Sequence, residues 1–366
     1  MSLSLEPRLS SRWFSNRRRG TSAWGFDIGT LAIKAVRLKL QGGRLRYDTR
    51  LSIPRKVGNG NPPNSLADEL ASTFSRPHLY RQKDAYAVVS FSRTQLDSFE
   101  LPPGSIDELR MMAQSELEEN GRRGVVSDCW LLDSASSSKG DDQTVSVSTL
   151  AMSATESVEI AEDLLSVGLR CRVLDGLPFA LARAADWAGT YPSVAAIDLG
   201  ASISTFVSVQ NGQPQMIRPL RNCSTTDLLQ RLADRLDLPV SECYSLLPNL
   251  PNLTKTAFSS WRQLVRSVTE SYFNDFGREI TRTMSFLDRN SQTHRPEEIW
   301  LFGAGATWPG LRENLESLVS RPVRIWSLKP SRIDSMPDDA TFGPAVAMAM
   351  LSMSIGSTVS LGKEPL

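Results

Sequence analysis

Trp24-Gly25-Phe26-Asp27-Ile28-Gly29-Thr30, followed by Leu31-Ala32-Ile33-Lys34-Ala35-Val36-Arg37-Leu38, is the stretch whose reading decides the fold. An apolar entry leads into Asp-x-Gly-Thr and then an alternating run, with Ile33, Ala35, Val36 and Leu38 set against Lys34, Arg37 and Lys39. That pattern predicts a strand, a tight turn and a returning strand. Gly29 has no side chain to hold a ligand off the backbone, so the N–H groups of Gly29 and Thr30 could face phosphate oxygens. Asp27 could hold a phosphate-bound Mg²⁺ through water. The same letters also make an ordinary hairpin turn, and this segment by itself does not separate the two.

A second copy does. Val194 to Arg218 repeats the plan, with Asp198, Gly200, an alternating strand and Asn211-Gly212 where the first copy has Asp27, Gly29 and Gln41-Gly42-Gly43. The two aspartates lie 198 − 27 = 171 residues apart, about one domain length, which points to a duplicated unit. Two such loops facing each other could hold the phosphates of one nucleotide. A third cluster, Ile299-Trp300-Leu301-Phe302-Gly303-Ala304-Gly305-Ala306-Thr307-Trp308-Pro309-Gly310, predicts an apolar strand, a Gly-x-Gly turn open to a flat ring, and a helix beginning near Pro309.

With these three segments in this order and spacing, the chain resembles the actin-like ATPase superfamily, which includes actin, the large heat-shock ATPases and bacterial FtsA and MreB. It is most similar to the PilM-type proteins of type IV pilus assembly, over nearly the whole chain from Trp24 to Met353. The resemblance implies an α/β, actin-like (ribonuclease H-like) two-lobed fold with the extra subdomain of FtsA and PilM. It implies ATP or ADP with Mg²⁺ between the lobes, metal-shell and catalytic roles for Asp27 and Asp198, and phosphate contacts at Gly29, Thr30, Gly200 and Ala201. Lys34 is a candidate charge partner for the phosphates, although its strand position also suits a solvated lysine. Gly303, Gly305 and Ala306 would line adenine and ribose, and Glu242 could reach the ribose. The implied partner is the cytoplasmic tail of a PilN-like inner-membrane protein within a pilus or secretion platform. Membrane association would then be indirect, and a homo-oligomer is open.

Composition agrees with this. At 366 residues and 40% apolar, the chain can bury two cores, and a net charge of +1 gives no reason to expect nucleic acid. Cys129, Cys171, Cys223 and Cys243 form no Cys-x-x-Cys pair and only two histidines occur, which argues against a zinc site or a disulfide framework. No apolar run approaches the roughly 20 residues a bilayer requires, and no signal peptide is visible, so a cytoplasmic protein is expected; the resemblance implies a place at the inner-membrane face.

Along the chain, residues 1–22 read as a flexible basic leader, and residues 23–83, completed by 175–191 and 338–366, as the first-lobe subdomain. Residues 84–174 read as the inserted subdomain. It has a helix opened by the capping box Ser105-Ile106-Asp107-Glu108, two strands near 128–135 and 144–152, and a second helix capped at Ser153 and carrying Val158, Ala161, Leu164 and Leu165. Residues 192–221 with 296–337 read as the second-lobe subdomain and 222–295 as its helical companion, including a helix over Thr254 to Asn290. The small-residue apolar run Thr341 to Met353 predicts a terminal helix, and the ending Gly-Lys-Glu-Pro-Leu lacks the amphipathic anchor of FtsA.

Several positions depart from the family pattern. Leu177 stands where MreB-like relatives carry a glutamate that positions the attacking water, with Asp175 two residues away. Asn222-Cys223 replaces a Gly-Gly pair, and Ser245 replaces a lysine. These departures predict at most a slow ATPase and keep a nucleotide-free scaffold, or an FtsA-like protein, as alternatives. A small-molecule kinase needs a catalytic base and substrate cleft for which the sequence offers no candidate.

Overall fold

The computed structural model describes residues 22–41, 44–55, 65–74, 84–132, 144–189, 191–246, 260–290, 295–328 and 338–353. The basic leader up to residue 21, the Ser134 to Asp142 loop, the predicted helical start at 254–259 and the chain after Met353 lie outside them. The described residues fall into two compact units, 22–40 with 48–177 and 348–353, and 41–47 with 178–347.

In the first unit, strands β1 (Ser22–Ile28), β2 (Ala32–Gln41), β3 (Arg44–Pro54), β4 (Asp84–Val89) and β8 (Arg170–Gly176) make one sheet in the order β3-β2-β1-β4-β8. Its central strand pairs antiparallel with β2 and parallel with β4. Trp24, Phe26 and Ile28 alternate onto one face, where they meet Leu66, Leu70 and Phe74 of helix α1 (Leu66–Phe74) and Ile160 and Leu164 of helix α3 (Ala154–Ser166). The Trp24 and Phe74 rings meet edge to face at 5.3 Å.

Strands β5 (Gln95–Leu101), β6 (Val125–Leu131) and β7 (Val145–Ser153) form a separate antiparallel sheet ordered β5-β7-β6. Helix α2 (Ile106–Glu119) buries Leu109, Ala113 and Leu117, and its capping box is fully made by Ser105 and Glu108. The first helix face predicted for α3 is partly reversed. Ile160 and Leu164 face inward, whereas Val158 and Leu165 are 37% and 59% exposed. At about 100° per residue the pair 160/164 and the pair 158/165 fall on opposing lines, and the sheet lies under the former.

The second unit repeats the first sheet. Strands β9 (Ser193–Asp198), β10 (Ser204–Gln210), β11 (Gln213–Leu220), β12 (Glu298–Phe302) and β13 (Val323–Ile325) are ordered β11-β10-β9-β12-β13. Again the strand carrying Asp-x-Gly is central, antiparallel to its hairpin partner and parallel to the next strand. Around it lie α4 (Leu177–Ala188), α5 (Thr225–Leu236), α6 (Val240–Leu246), the 31-residue α7 (Ser260–Asn290), α8 (Leu311–Val319) and α9 (Asp339–Met353).

The structure groups α4 from Pro178 and α9 up to Ala347 with this second unit, whereas the sequence reading places 175–191 and 338–366 with the first. The reason is specific packing. Trp326 donates its indole N–H to the Ala184 carbonyl of α4 at 2.8 Å and stacks on Phe302 at 5.4 Å. Gly343 of α9 sits against both rings, where a Cβ would come within 2.6 Å of Phe302. Pro344 inside α9 frees the Ala340 carbonyl, which accepts the Gly303 amide at 2.9 Å instead.

Two outcomes follow from this packing. Burial raises the Cys129 thiol to about 11 and the Cys171 and Cys223 thiols to about 12, so at pH 8 fewer than about one in a thousand of each is thiolate. An aromatic disulfide reagent should therefore find no fast-reacting thiol in the native protein and all four in urea; a burst of one equivalent would contradict the packing. Separately, Ser224→Ala removes the hydroxyl that accepts the Asp227 amide at 3.1 Å, and should destabilise α5 by about 1 kcal/mol, read from the urea midpoint.

Candidate functional site

The first loop begins at Asp27, 6% exposed, at the end of a buried strand. Its cross-strand neighbour in the hairpin is Lys34, and the two side chains form an ion pair at 2.9 Å. The position read as either a phosphate contact or a solvated lysine is thus a half-buried counterion to the carboxylate. Gly29 follows in a turn so tight that a Cβ would lie 2.8 Å from the Ala32 carbonyl oxygen. Glycine is required here by the turn itself, and the same bareness leaves the backbone approachable.

Two residues the sequence reading missed hold this loop from outside. Arg55, just after β3, donates Nη1 to the Gly29 carbonyl at 3.1 Å and Nε to Glu69 of α1 at 2.8 Å, and its own amide donates to Leu31 at 2.9 Å. The guanidinium and carboxylate are buried, at 10% and 2% side-chain exposure. Nearby Arg93 pairs with Glu156 at 3.2 Å; burial depresses its pKa, with Glu156 opposing the shift. Nothing in the spacing of Arg55 and Glu69 marks them, because Arg55's target, the Gly29 carbonyl, lies 26 residues away in the turn after β1.

The second loop has the same beginning and a different neighbour. Asp198 faces Thr205 across the hairpin, at the position that Lys34 takes in the first unit. On its other side Asp198 is in register with Phe302, and the Leu199 amide donates to the Phe302 carbonyl at 2.9 Å. The parallel pair therefore brings the Gly-x-Gly turn against the second Asp-x-Gly loop. Gly303, at φ 85°, lies where a Cβ would meet the Leu199 carbonyl at 2.6 Å and Asp198 Oδ1 at 2.9 Å. A Cβ at Gly305 would touch the Leu199 side chain at 3.0 Å. Asp198, Gly200, Gly303, Gly305 and Ala306 are thus gathered at one end of one sheet. Ala306 itself is fully buried, and the exposed members of the turn are Ala304 and Thr307.

Helix α5 closes the other side. The amides of Thr225 and Thr226 donate to the Gly200 and Ala201 carbonyls, each at 3.0 Å. Ahead of it Asn222 takes φ 56°, the left-handed conformation that glycine adopts freely and asparagine tolerates. Cys223 is buried, and its carbonyl accepts the Ser204 hydroxyl at 2.7 Å and the Tyr272 hydroxyl at 2.6 Å. Glu242 is on the exposed first turn of α6.

The residues fit a phosphate-bearing ligand in one respect: glycines whose Cβ would be obstructed line both loops and the turn, and each loop follows a buried aspartate. Oxygen donors of that kind suit Mg²⁺ held chiefly by phosphate and water. Among the described residues no cluster of three or more His, Cys, Asp or Glu forms a metal cage of its own. Leu177 is 4% exposed and Asp175 accepts the Gly176 amide at 2.8 Å, so neither is placed as an open base.

The first unit also contains a cavity of about 100 Å³ between the three-stranded sheet and β8. Val126, Leu150, Met152 and Ala161 give it an apolar lining, and Asp128 and Asp175 lie in its wall. Burial raises the Asp128 pKa, opposed by the Arg110 side chain at 2.7 Å. No described helix is long and apolar enough to cross a membrane.

No protein-family model and no curated protein sequence matches the chain. Solved structures do. The PilM–PilN type IV pilus biogenesis complex superposes with a TM-score of 0.68 at 20% identity, covering 92% of this chain and 99% of that one. The ethanolamine utilization protein EutJ of Carboxydothermus hydrogenoformans superposes with a TM-score of 0.51 at 13% identity, covering 92% and 91%. The chain has the actin-like fold, in the form that PilM has.

Proposed function

We propose that this chain is a PilM-like assembly protein of a type IV pilus or related secretion platform, which binds Mg²⁺-ATP or ADP and the cytoplasmic tail of a PilN-like membrane protein. The observation that carries this reading is the likeness to PilM over 92% of this chain and 99% of that structure, which came from a PilM–PilN complex. In support, the chain keeps both Asp-x-Gly loops and the Gly-x-Gly turn, and the central strand of each sheet delivers its aspartate to the loop.

On this reading Asp27 and Asp198 would hold the hydrated metal, and the amides of Gly29, Thr30, Gly200 and Ala201 would meet the phosphates. Gly303, Gly305 and Ala306 set the adenosine side, with Glu242 as ribose contact. Lys34, paired with Asp27 at 2.9 Å, would be the residue within reach of a bound phosphate. The bound metal would supply phosphate charge neutralisation, and the chain's own part is to bind and orient. Hydrolysis is slow at best, because the buried Leu177 cannot order a water. The tail enters the cavity beneath α3 in the first unit, where an extended peptide gains from apolar lining and edge-strand hydrogen bonds.

Two observations favour the alternative, a scaffold without nucleotide. Asp27 already has a cation, and the α5 N-terminal amides are taken by the Ser224–Asp227 capping box and by the Gly200 and Ala201 carbonyls.

Melting with and without millimolar Mg²⁺-ATP separates the two. At a hundred times the dissociation constant a ligand stabilises by about 2.7 kcal/mol, so wild type should shift by a few degrees and Asp198→Ala should not. Absence of a shift in wild type would leave the scaffold reading. For the partner, a fluorescent peptide copying the PilN-like tail of the same organism should bind, and Ala161→Leu, which fills the cavity, should weaken it at least tenfold. Equal binding by that variant would move the tail elsewhere.

A further inference from the structure

The nucleotide reading explains the loop but not what aims it, and the structure places a buried ion pair behind it. Arg55 contacts the loop twice from one side: its Nη1 donates to the Gly29 carbonyl at 3.1 Å and its amide to the Leu31 carbonyl at 2.9 Å. Glu69 fixes the guanidinium at 2.8 Å, and α1, which carries Glu69, is anchored through Leu66, Leu70 and Phe74 in the core of the first unit. An arginine buried to this extent, with a 2%-exposed carboxylate partner, serves a defined position rather than general solubility.

Peptide planarity converts that contact into an orientation. In a trans peptide the C=O of one residue and the N–H of the next point in opposite directions. Holding the Gly29 carbonyl toward Arg55 turns the Thr30 amide to the far side of the loop, and holding the Leu31 carbonyl does the same for Ala32. Gly29 has the freedom to rotate this plane, which is why an external clamp matters at this position. The second loop is restrained differently, by the Thr225 and Thr226 amides on its Gly200 and Ala201 carbonyls. Carbonyls are held from behind in both loops, by a helix N-terminus in one and by an arginine in the other.

We infer that Arg55, braced by Glu69, is a positioning residue for the first phosphate loop: it turns the Gly29–Thr30 peptide so that the amide faces a ligand phosphate. This rests on the nucleotide reading above. Arg55 acts through the loop and does not itself touch the ligand.

The test is titration of the full chain with Mg²⁺-ADP, Mg²⁺-ATP and inorganic tripolyphosphate, using wild type, Arg55→Met, Arg55→Lys and Glu69→Gln. Arg55→Met is expected to weaken all three ligands about tenfold, and Glu69→Gln less. Arg55→Lys, which keeps one donor without the fork, should recover part of the loss. Hydrogen exchange of the peptide containing Thr30, followed without ligand, should quicken in Arg55→Met while the remaining strands of that sheet keep wild-type protection. A purely structural role would lower the unfolding midpoint of Arg55→Met and leave its ligand affinities at wild-type values, and that result overturns the assignment. If Arg55→Met does not fold, affinities of Arg55→Lys and Glu69→Gln equal to wild type overturn it as well. Failure of wild type to bind any of the three ligands refutes the nucleotide reading itself, and the assignment with it.

Discussion

The structure depends on one arrangement used twice: a buried central strand that ends in a carboxylate, hydrogen-bonded antiparallel on one side and parallel on the other. The antiparallel side is a hairpin and needs only a tight turn. The parallel side requires a crossover, so it brings a distant segment of chain to the same sheet end. In the second unit that segment is the Gly303–Ala306 turn, which the register Asp198 with Phe302 lays directly on the Leu199–Gly200 loop. Loops gathered at the carboxyl ends of parallel strands are the usual place for a ligand in open α/β sheets.

The two copies have diverged in electrostatics more than in geometry. In the first, Lys34 sits opposite Asp27 and neutralises it; in the second, Thr205 occupies the equivalent register position beside Asp198. Across the hairpin, one carboxylate thus faces a lysine and the other a threonine. The loop carbonyls are restrained by unrelated means, an arginine in one copy and a helix start in the other.

Asn222-Cys223 and Leu177 have separable physical meanings. Asn222 preserves the left-handed backbone of a glycine and so keeps the chain path, while its neighbour Cys223 is held by two buried hydroxyls. Leu177 is different, because its buried apolar side chain offers no polar group at its position. The first feature preserves a backbone path, and the second leaves no titratable side chain at its position.

How much was legible follows from the range of each interaction. Hairpin alternation, the Ser105 and Ser224 capping boxes and the three glycine turns involve residues a few positions apart, so the amino-acid sequence by itself determined the elements, the duplication and the actin-like fold. The sides of α3 were harder: apolar residues lie on two of its lines, and only the sheet beneath decided for Ile160 and Leu164. Other features were set by tertiary contact alone. Lys34 meets Asp27 only once the hairpin register is fixed, since a slip of one residue would send the two side chains to opposite faces. Arg55 finds the Gly29 carbonyl 26 residues away, and Ala340 gives its carbonyl to Gly303 because Pro344 has no N–H to offer. Each of these depends on a backbone group brought within hydrogen-bond reach by packing elsewhere, and no spacing of letters encodes that distance.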